Sequence, residues 1–272
     1  MKQCVATILR FWNRRFGAGL ASLLACTTVA FSPASTFAAD DALRVAARPN
    51  LPPYIIDGAT GGIEVDLVKA VFKEAGKSIA FVQMDRVAMI SQFEEEKLDG
   101  TLTQSPTATS HGCLTDWYMV HQNVGFSIRK KNIALTQLKD LANFAVVSFD
   151  NAKIFLGKSF ADSVKNNQRY QEIAPQSRHI NLLYDGKVDV IVGDEWIIRD
   201  IQRRFFETTG AYQELEVHQI MPPSLYSARF QKQETCDAFN AALSTLRLNG
   251  TYDAIVEAYR QKTLIRSTDR ED

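Results

Sequence analysis

A short apolar run, Val188, Val190, Ile191 and Val192, leads through Gly193 into the acidic pair Asp194 and Glu195. A carboxylate at the carboxyl edge of a buried strand can accept from a ligand's amine or hydroxyl, because open α/β sheets bind ligands there. Asp194 can equally cap the helix read from Trp196 to Phe206. A second polar strand edge lies in Gly100 to Asp116, where Thr101, Thr103, Gln104, Ser105, Thr107, Thr109, Ser110 and His111 cluster. These side chains can hold a ligand's polar group or simply form a polar loop. Two cations are placed to meet an anion. Arg48 follows the strand Leu43 to Ala47 and is held among Pro49, Pro52 and Pro53, although a solvated loop arginine fits the same residues. Lys153 opens a helix after the turn at Asp150, where free backbone amides favour a carboxylate. The four histidines, His111, His121, His179 and His218, are scattered, so no metal site and no cofactor are expected.

The elements that must position these residues alternate. Strands are expected at Leu43–Ala47 and Ile79–Gln83. Between them runs a helix with Leu67, Val68, Val71, Phe72 and Ala75 on one face and Gly76 as its stop. Val87, Met89, Ile90 and Phe93 mark the next helix, and Asn123–Ile128 reads as a strand ending at a basic boundary, Arg129 to Asn132. Beyond it come a short helix at Leu138–Leu141, a strand at Phe144–Phe149 and one helix carrying Phe155, Leu156, Phe160 and Val164. Further strands are read near Glu214–Val217 and at Leu225–Phe230, then two closing helices, Glu234–Leu248 and Thr251–Gln261. Lys97-Leu98-Asp99 and Lys187-Val188-Asp189 repeat one pattern ninety positions apart, each before a polar strand edge. Two similar α/β units facing one cleft would explain the repeat.

The first residues have another use. Lys2, Arg10, Arg14 and Arg15 precede an apolar stretch from Phe16 to Phe31, and Thr36-Phe37-Ala38 ends it with small residues. This pattern predicts a secretory signal peptide over 1–38. A lipidated Cys26 and a twin-arginine signal at Arg14-Arg15 are the rival readings. Without 1–38 the chain holds 27 basic and 31 acidic residues, a balance that gives no basis for nucleic-acid binding. Cys113 and Cys236 then remain. In an oxidising compartment they can pair, or they can be buried as free thiols.

Several segments, taken in order, resemble the bacterial extracellular solute-binding proteins of family 3, the periplasmic amino-acid receptors of ABC importers. They are Leu43-Arg44-Val45 with Leu51-Pro52-Pro53-Tyr54, Gly62-Ile63-Glu64-Val65-Asp66-Leu67, and Thr115-Asp116-Trp117-Tyr118. Gly186-Lys187-Val188-Asp189-Val190 with Asp194-Glu195 and Leu248-Asn249-Gly250-Thr251-Tyr252-Asp253 complete the set. The resemblance implies a type II periplasmic-binding-protein fold, with two α/β lobes joined by two crossing strands. By that likeness lobe 1 holds 40–130 and 223–266, lobe 2 holds 131–222, and 267–272 is a tail. Cys113 and Cys236 then share lobe 1, which favours a disulfide.

Departures from the family pattern bear on the ligand. The family's carboxylate-gripping arginine is missing, since Gly100 to Asp116 contains no Arg or Lys and only His111 can carry charge there. Asp194 stands where the family places its ammonium-binding aspartate. Arg48 stands where an acid is found in binders of basic amino acids, and Arg86 where an aromatic usually stacks on the ligand. Arg48, Tyr54, Arg86, Thr103, Gln104, His111, Lys153 and Asp194 are therefore the expected ligand contacts. What the resemblance implies is a monomeric periplasmic receptor that closes on a small amino-acid-like or carboxylated solute and serves a membrane permease. The alternatives are a dehydratase of the cyclohexadienyl type on the same fold, with Asp194, Glu195 or His111 as general acid, and a solute sensor without transport.

Overall fold

A computed structural model describes residues 42–106 and 110–265. The expected signal peptide, Cys26, the tail, Thr107 and Thr109 lie outside the described residues.

The chain opens with β1 (Leu43–Ala47), α1 (Ile63–Glu74), β2 (Ile79–Gln83), α2 (Arg86–Glu94) and β3 (Gly100–Gln104). The three strands are parallel, with β1 between β2 and β3. The apolar stripe of α1 buries Leu67, Val68, Val71 and Phe72. Gly76 stops the helix at φ 65°, a left-handed position that costs glycine nothing. α2 buries only Met89 and Phe93, while Val87 and Ile90 are 79% and 50% exposed. The expected apolar face of α2 is thus only half covered: Met89 and Phe93, four residues apart, pack with Ala46 and Leu98. Next come β4 (Cys113–Leu114) and β5 (Met119–His121), which both pair with a strand from the far end of the chain, β11 (Ser224–Phe230). β11 also runs antiparallel to β3. Their approach is close at Gly100, where a Cβ would lie 2.3 Å from the Phe230 ring.

The second sheet begins at β6 (Asn123–Ile128) and continues with β7 (Val146–Ser148), β8 (Tyr170–Glu172), β9 (Val190–Asp194) and β10 (Leu215–His218). Its order is β10-β6-β9-β7-β8. β7, β8 and β9 are parallel, and β6 and β10 are antiparallel additions. The chain therefore passes between sheets at Gln122 and returns between His218 and Ser224. The basic segment Arg129–Lys131 follows the crossing and forms a 3₁₀ turn. The two passes run side by side: His121 faces Ser224, Gly125 faces His218, and Gln122 Nε2 donates to the Met221 carbonyl at 3.0 Å.

The helix expected at Phe155–Val164 is two short ones, α3 (Ala152–Phe155) and α4 (Lys158–Val164), separated at Gly157 with φ 82°. α5 (Arg178–Tyr184) and α6 (Glu195–Thr209) flank β9. α7 (Gln233–Leu248) and α8 (Thr251–Thr263) close the chain, and α8 packs on α1, α7 and α6. Among the described residues no helix is long and apolar enough to cross a membrane.

The repeated Lys-apolar-Asp pattern has one structural purpose in both sheets. Asp99 accepts from the Arg44 amide at 2.7 Å and donates its own amide to the Arg44 carbonyl. Asp189 does the same with Ala145, at 2.9 and 2.7 Å. Each aspartate locks the start of one parallel strand to its neighbour, which satisfies backbone groups that a strand end leaves open.

Cys113 in β4 and Cys236 in α7 form a disulfide. It closes a span of 123 residues in sequence, so its loss should cost about 2–4 kcal/mol of stability. Thermal unfolding with and without reductant, and of Cys113→Ser with Cys236→Ser, measures this. Equal melting temperatures under both conditions would contradict it.

Candidate functional site

The site is assembled where the carboxyl ends of β1, β3 and β9 meet the two crossings. Tyr54 comes from the proline-rich loop after β1. That loop is fixed to α1: Gly62, at the helix start, offers no side-chain cap, and the first amides are taken by carbonyls instead. Ile63 N–H donates to Pro53 and Glu64 N–H to Tyr54, both at 3.0 Å. Gly62 stands at φ 114° with the Tyr54 carbonyl so close that a Cβ would lie 2.3 Å away. Glycine is thus required there on two counts, strain and space. Tyr259 of α8 holds the same corner, accepting from Gly62 N–H at 3.0 Å and donating to Asp66 at 2.5 Å.

From this corner the Tyr54 hydroxyl reaches across to the second lobe. It lies 3.0 Å from both Asp194 oxygens. Asp194 also caps α6, accepting from Trp196 and Ile197 amides at 3.0 and 3.1 Å. Asp194 is therefore the cap of α6, at the carboxyl end of β9. Tyr54 and Asp194 are 1% and 3% exposed. Burial pushes the Asp194 pKa up to about 7, against the lowering effect of its hydrogen bonds from Ile197, Tyr54 and Trp196. Burial and the neighbouring Asp194 charge raise the Tyr54 phenol.

His121, at the first crossing, stacks on Tyr54 with ring centroids 4.1 Å apart and meets Tyr226 of β11 edge-on at 4.9 Å. Burial, then the charge of Arg48, lowers its pKa to about 3, so it is neutral. Its Nε2 is buried without a partner. Beneath lies Glu64, fully buried. Its Oε1 accepts from Thr103 Oγ1 at 2.7 Å and from the Tyr118 hydroxyl. Burial raises the Glu64 pKa, opposed by those two bonds and by Arg48. Arg48 follows β1 and Arg86 opens α2. Both are exposed, and neither has a hydrogen bond or ion pair among the described residues. Desolvation lowers the Arg48 pKa; the Glu64 charge raises it and the Arg86 charge lowers it. Arg86 lies over the Phe155 ring of α3 at 5.4 Å, a second contact between the lobes.

The remaining expected contacts are placed otherwise. Thr103 is buried, at φ 55°, and gives its hydroxyl to Glu64. Gln104 Nε2 donates to the Leu102 carbonyl of its own strand. His111 is tied to Glu94 at 2.7 Å and to Gln231 at 2.8 Å, and stacks on Phe93. It anchors its loop rather than joining the arginines. The carboxylate expected at Lys153 is the protein's own: Glu172 accepts from Asn151 and Lys153 amides at 2.9 and 3.1 Å. The Lys153 ammonium lies over Tyr170, at 5.6 Å. Glu195 is paired with Arg199 at 2.9 Å. Among the described residues no cluster of three or more His, Cys, Asp or Glu could hold a metal.

Sequence reasoning missed Glu64, His121, Tyr226 and Arg229. Glu64 had a readable signal: it begins the stripe Glu64, Leu67, Val68, Val71, Phe72, an acid on an apolar helix face. Arg229 had one too, as a cation inside the strand Leu225–Phe230; it donates to the Ser110 carbonyl at 3.0 Å and holds the loop. His121 and Tyr226 had none, since only the pairing of β5 with β11 brings them together.

A two-lobed α/β fold with its polar residues gathered at strand ends beside two crossings defines a receptor class that binds small solutes between lobes. The chain belongs to the bacterial extracellular solute-binding proteins, family 3, whose model matches residues 43–262. It is 22% identical to the L-arginine-binding protein of Pseudomonas aeruginosa over 256 residues, covering 88% of this chain and 95% of that one. Among solved structures it is similar to the GLUR0 ligand-binding core in complex with L-glutamate, at TM-score 0.62 and 18% identity, covering 80% and 97%. An ancestral arginine-binding protein bound to glutamine matches at TM-score 0.59 and 21% identity, again covering 80% and 97%. The fold is the type II periplasmic-binding-protein fold.

Two buried groups give opposite pH dependences. Asp194, raised from 3.8 to about 7, keeps its proton when folded, so its share of stability is full below 3.8 and is lost as pH rises to about 7. His121, lowered from 6.5 to about 3, stays neutral when folded, so its share is full above 6.5 and is lost as pH falls to about 3. Between roughly pH 4 and 6.5 the two slopes oppose. Asp194→Asn should therefore make stability rise with pH across that window, and His121→Phe should make it fall. Urea unfolding from pH 4 to 7 reads both; profiles parallel to the wild type would refute the assignment.

Proposed function

We propose that this chain is a periplasmic receptor that captures a small carboxylated, amino-acid-like solute by closing its two lobes, and hands it to the permease of an ABC importer. The observation that supports this most is the contact of Tyr54 with Asp194, made between lobes at the carboxyl ends of strands, beside both crossings. Arg48 and Arg86 are the solute's anion contacts, and Tyr54 and Asp194 complete closure. Export by a signal peptide over 1–38, lobes near 40–130 with 223–266 and 131–222, and a monomeric state belong to the same reading. Closure stores no new chemistry: the solute shifts an open–closed equilibrium by binding the closed form better.

A thermal-shift panel of amino acids, dicarboxylates, keto acids and aromatic acids tests the capture. A bound solute at about a hundred times its dissociation constant adds about 2.7 kcal/mol. Small-angle scattering with that solute should show compaction, and Arg48→Ala or Arg86→Ala should abolish both signals. Binding without compaction would end the closure mechanism.

One observation favours a second reading. Asp194, with a pKa near 7, holds a proton that a general acid can deliver. Turnover of prephenate or arogenate, lost in Asp194→Asn, would establish it.

A further inference from the structure

The cleft separates its charges by access. Its two carboxylates are sealed: Glu64 is fully buried and Asp194 is 3% exposed. Its two guanidiniums, Arg48 and Arg86, are exposed, lie close enough for the charge of one to lower the pKa of the other, and lack any acceptor among the described residues. Arg48 follows Ala47 of β1, whose partner in β2 is Gln83, three residues before Arg86, so the two arginines leave adjacent strand ends. Two like charges fixed together in a partly desolvated cleft repel, and a bound anion relieves that repulsion. The planar fork of a guanidinium fits a carboxylate with two parallel bonds.

A primary ammonium finds no such opening. Asp194 Oδ1 already accepts from two amides, and the Tyr54 hydroxyl lies against both of its oxygens. Displacing that hydroxyl would strand a phenol that is 1% exposed. A buried donor left without an acceptor carries its full desolvation cost. The free Glu64 Oε2 is sealed with the rest of its side chain. The neutral His121 adds no charge to attract or repel an amine.

We propose that the solute is a small dicarboxylic acid without a primary amine, its carboxylates held by Arg48 and Arg86, while Asp194 is reserved for Tyr54. This rests on the solute-receptor reading above and narrows it, away from the arginine named for the Pseudomonas aeruginosa relative.

The test is isothermal titration calorimetry of the full-length protein with matched pairs: succinate against aspartate, glutarate against glutamate, and arginine alone. Each amino acid repeats its partner's carboxylates and adds one ammonium. The expected result is dicarboxylate binding at least about tenfold tighter than the amino counterpart, and no arginine binding. Arg48→Gln and Arg86→Gln, both at exposed positions, should each weaken the dicarboxylate about 10- to 100-fold. Tyr54→Phe should narrow the gap by freeing an Asp194 oxygen for the ammonium. Tighter binding of aspartate, glutamate or arginine, or arginine variants that bind dicarboxylates unchanged, would overturn the proposal. If an amino acid binds and compacts the protein in scattering, this inference falls and the receptor reading stands. If no acid in the wider panel compacts it, both fall.

Discussion

The hydrogen bond between the Tyr54 hydroxyl and the Asp194 carboxylate is the constraint on which the site depends. One end comes from the loop after β1 and the other from the end of β9, and each is anchored by backbone. Tyr54 is fixed because its carbonyl caps α1, which glycine at position 62 allows. Asp194 is fixed because it caps α6 at the end of a fully buried strand. The bond also lies beside the hinge: the Glu195 amide donates to the Gln122 carbonyl, in the segment where the chain changes sheets.

Around that contact the protein removes charge from water selectively. Glu64 and Asp194 are drawn in among Tyr54, Tyr118 and Thr103, where hydroxyls offset part of their desolvation. His121 is held as a neutral ring between Tyr54 and Tyr226. The arginines are left outside. Exposed positive charge and buried carboxylates are thus separated by access to water. Family membership alone does not convey this, because relatives at about one-fifth identity share the scaffold and not the side chains that line it.

Other groups that could bind a ligand are spent internally. Glu172 occupies the amides at the start of α3, and Tyr170 donates to it at 2.7 Å. His111 and Arg229 fasten the hydroxyl-rich segment to α2 and β11. A buried or confined polar group is satisfied by the nearest partner, and in both places the nearest partner is protein.

The sequence by itself determined the alternation of strands and helices, the pairing of two α/β units and the ends of most elements. These follow from local signals: apolar periodicity, glycine stops, and the Lys-apolar-Asp repeat whose aspartates lock strand starts at Arg44 and Ala145. It also pointed to Asp194 and Arg48, since a charged residue just past an apolar run lies at a strand edge. Tertiary structure alone decided which charges a solute can reach. Thr103 and Lys153 were expected at the ligand and are turned to Glu64 and Tyr170; His121, silent in sequence, stacks on Tyr54 and meets Tyr226. The reason is that accessibility and hydrogen-bond partners are set by strands far apart in the chain, β11 beside β3 and β5 and β9 beside β6, and no local pattern encodes that pairing.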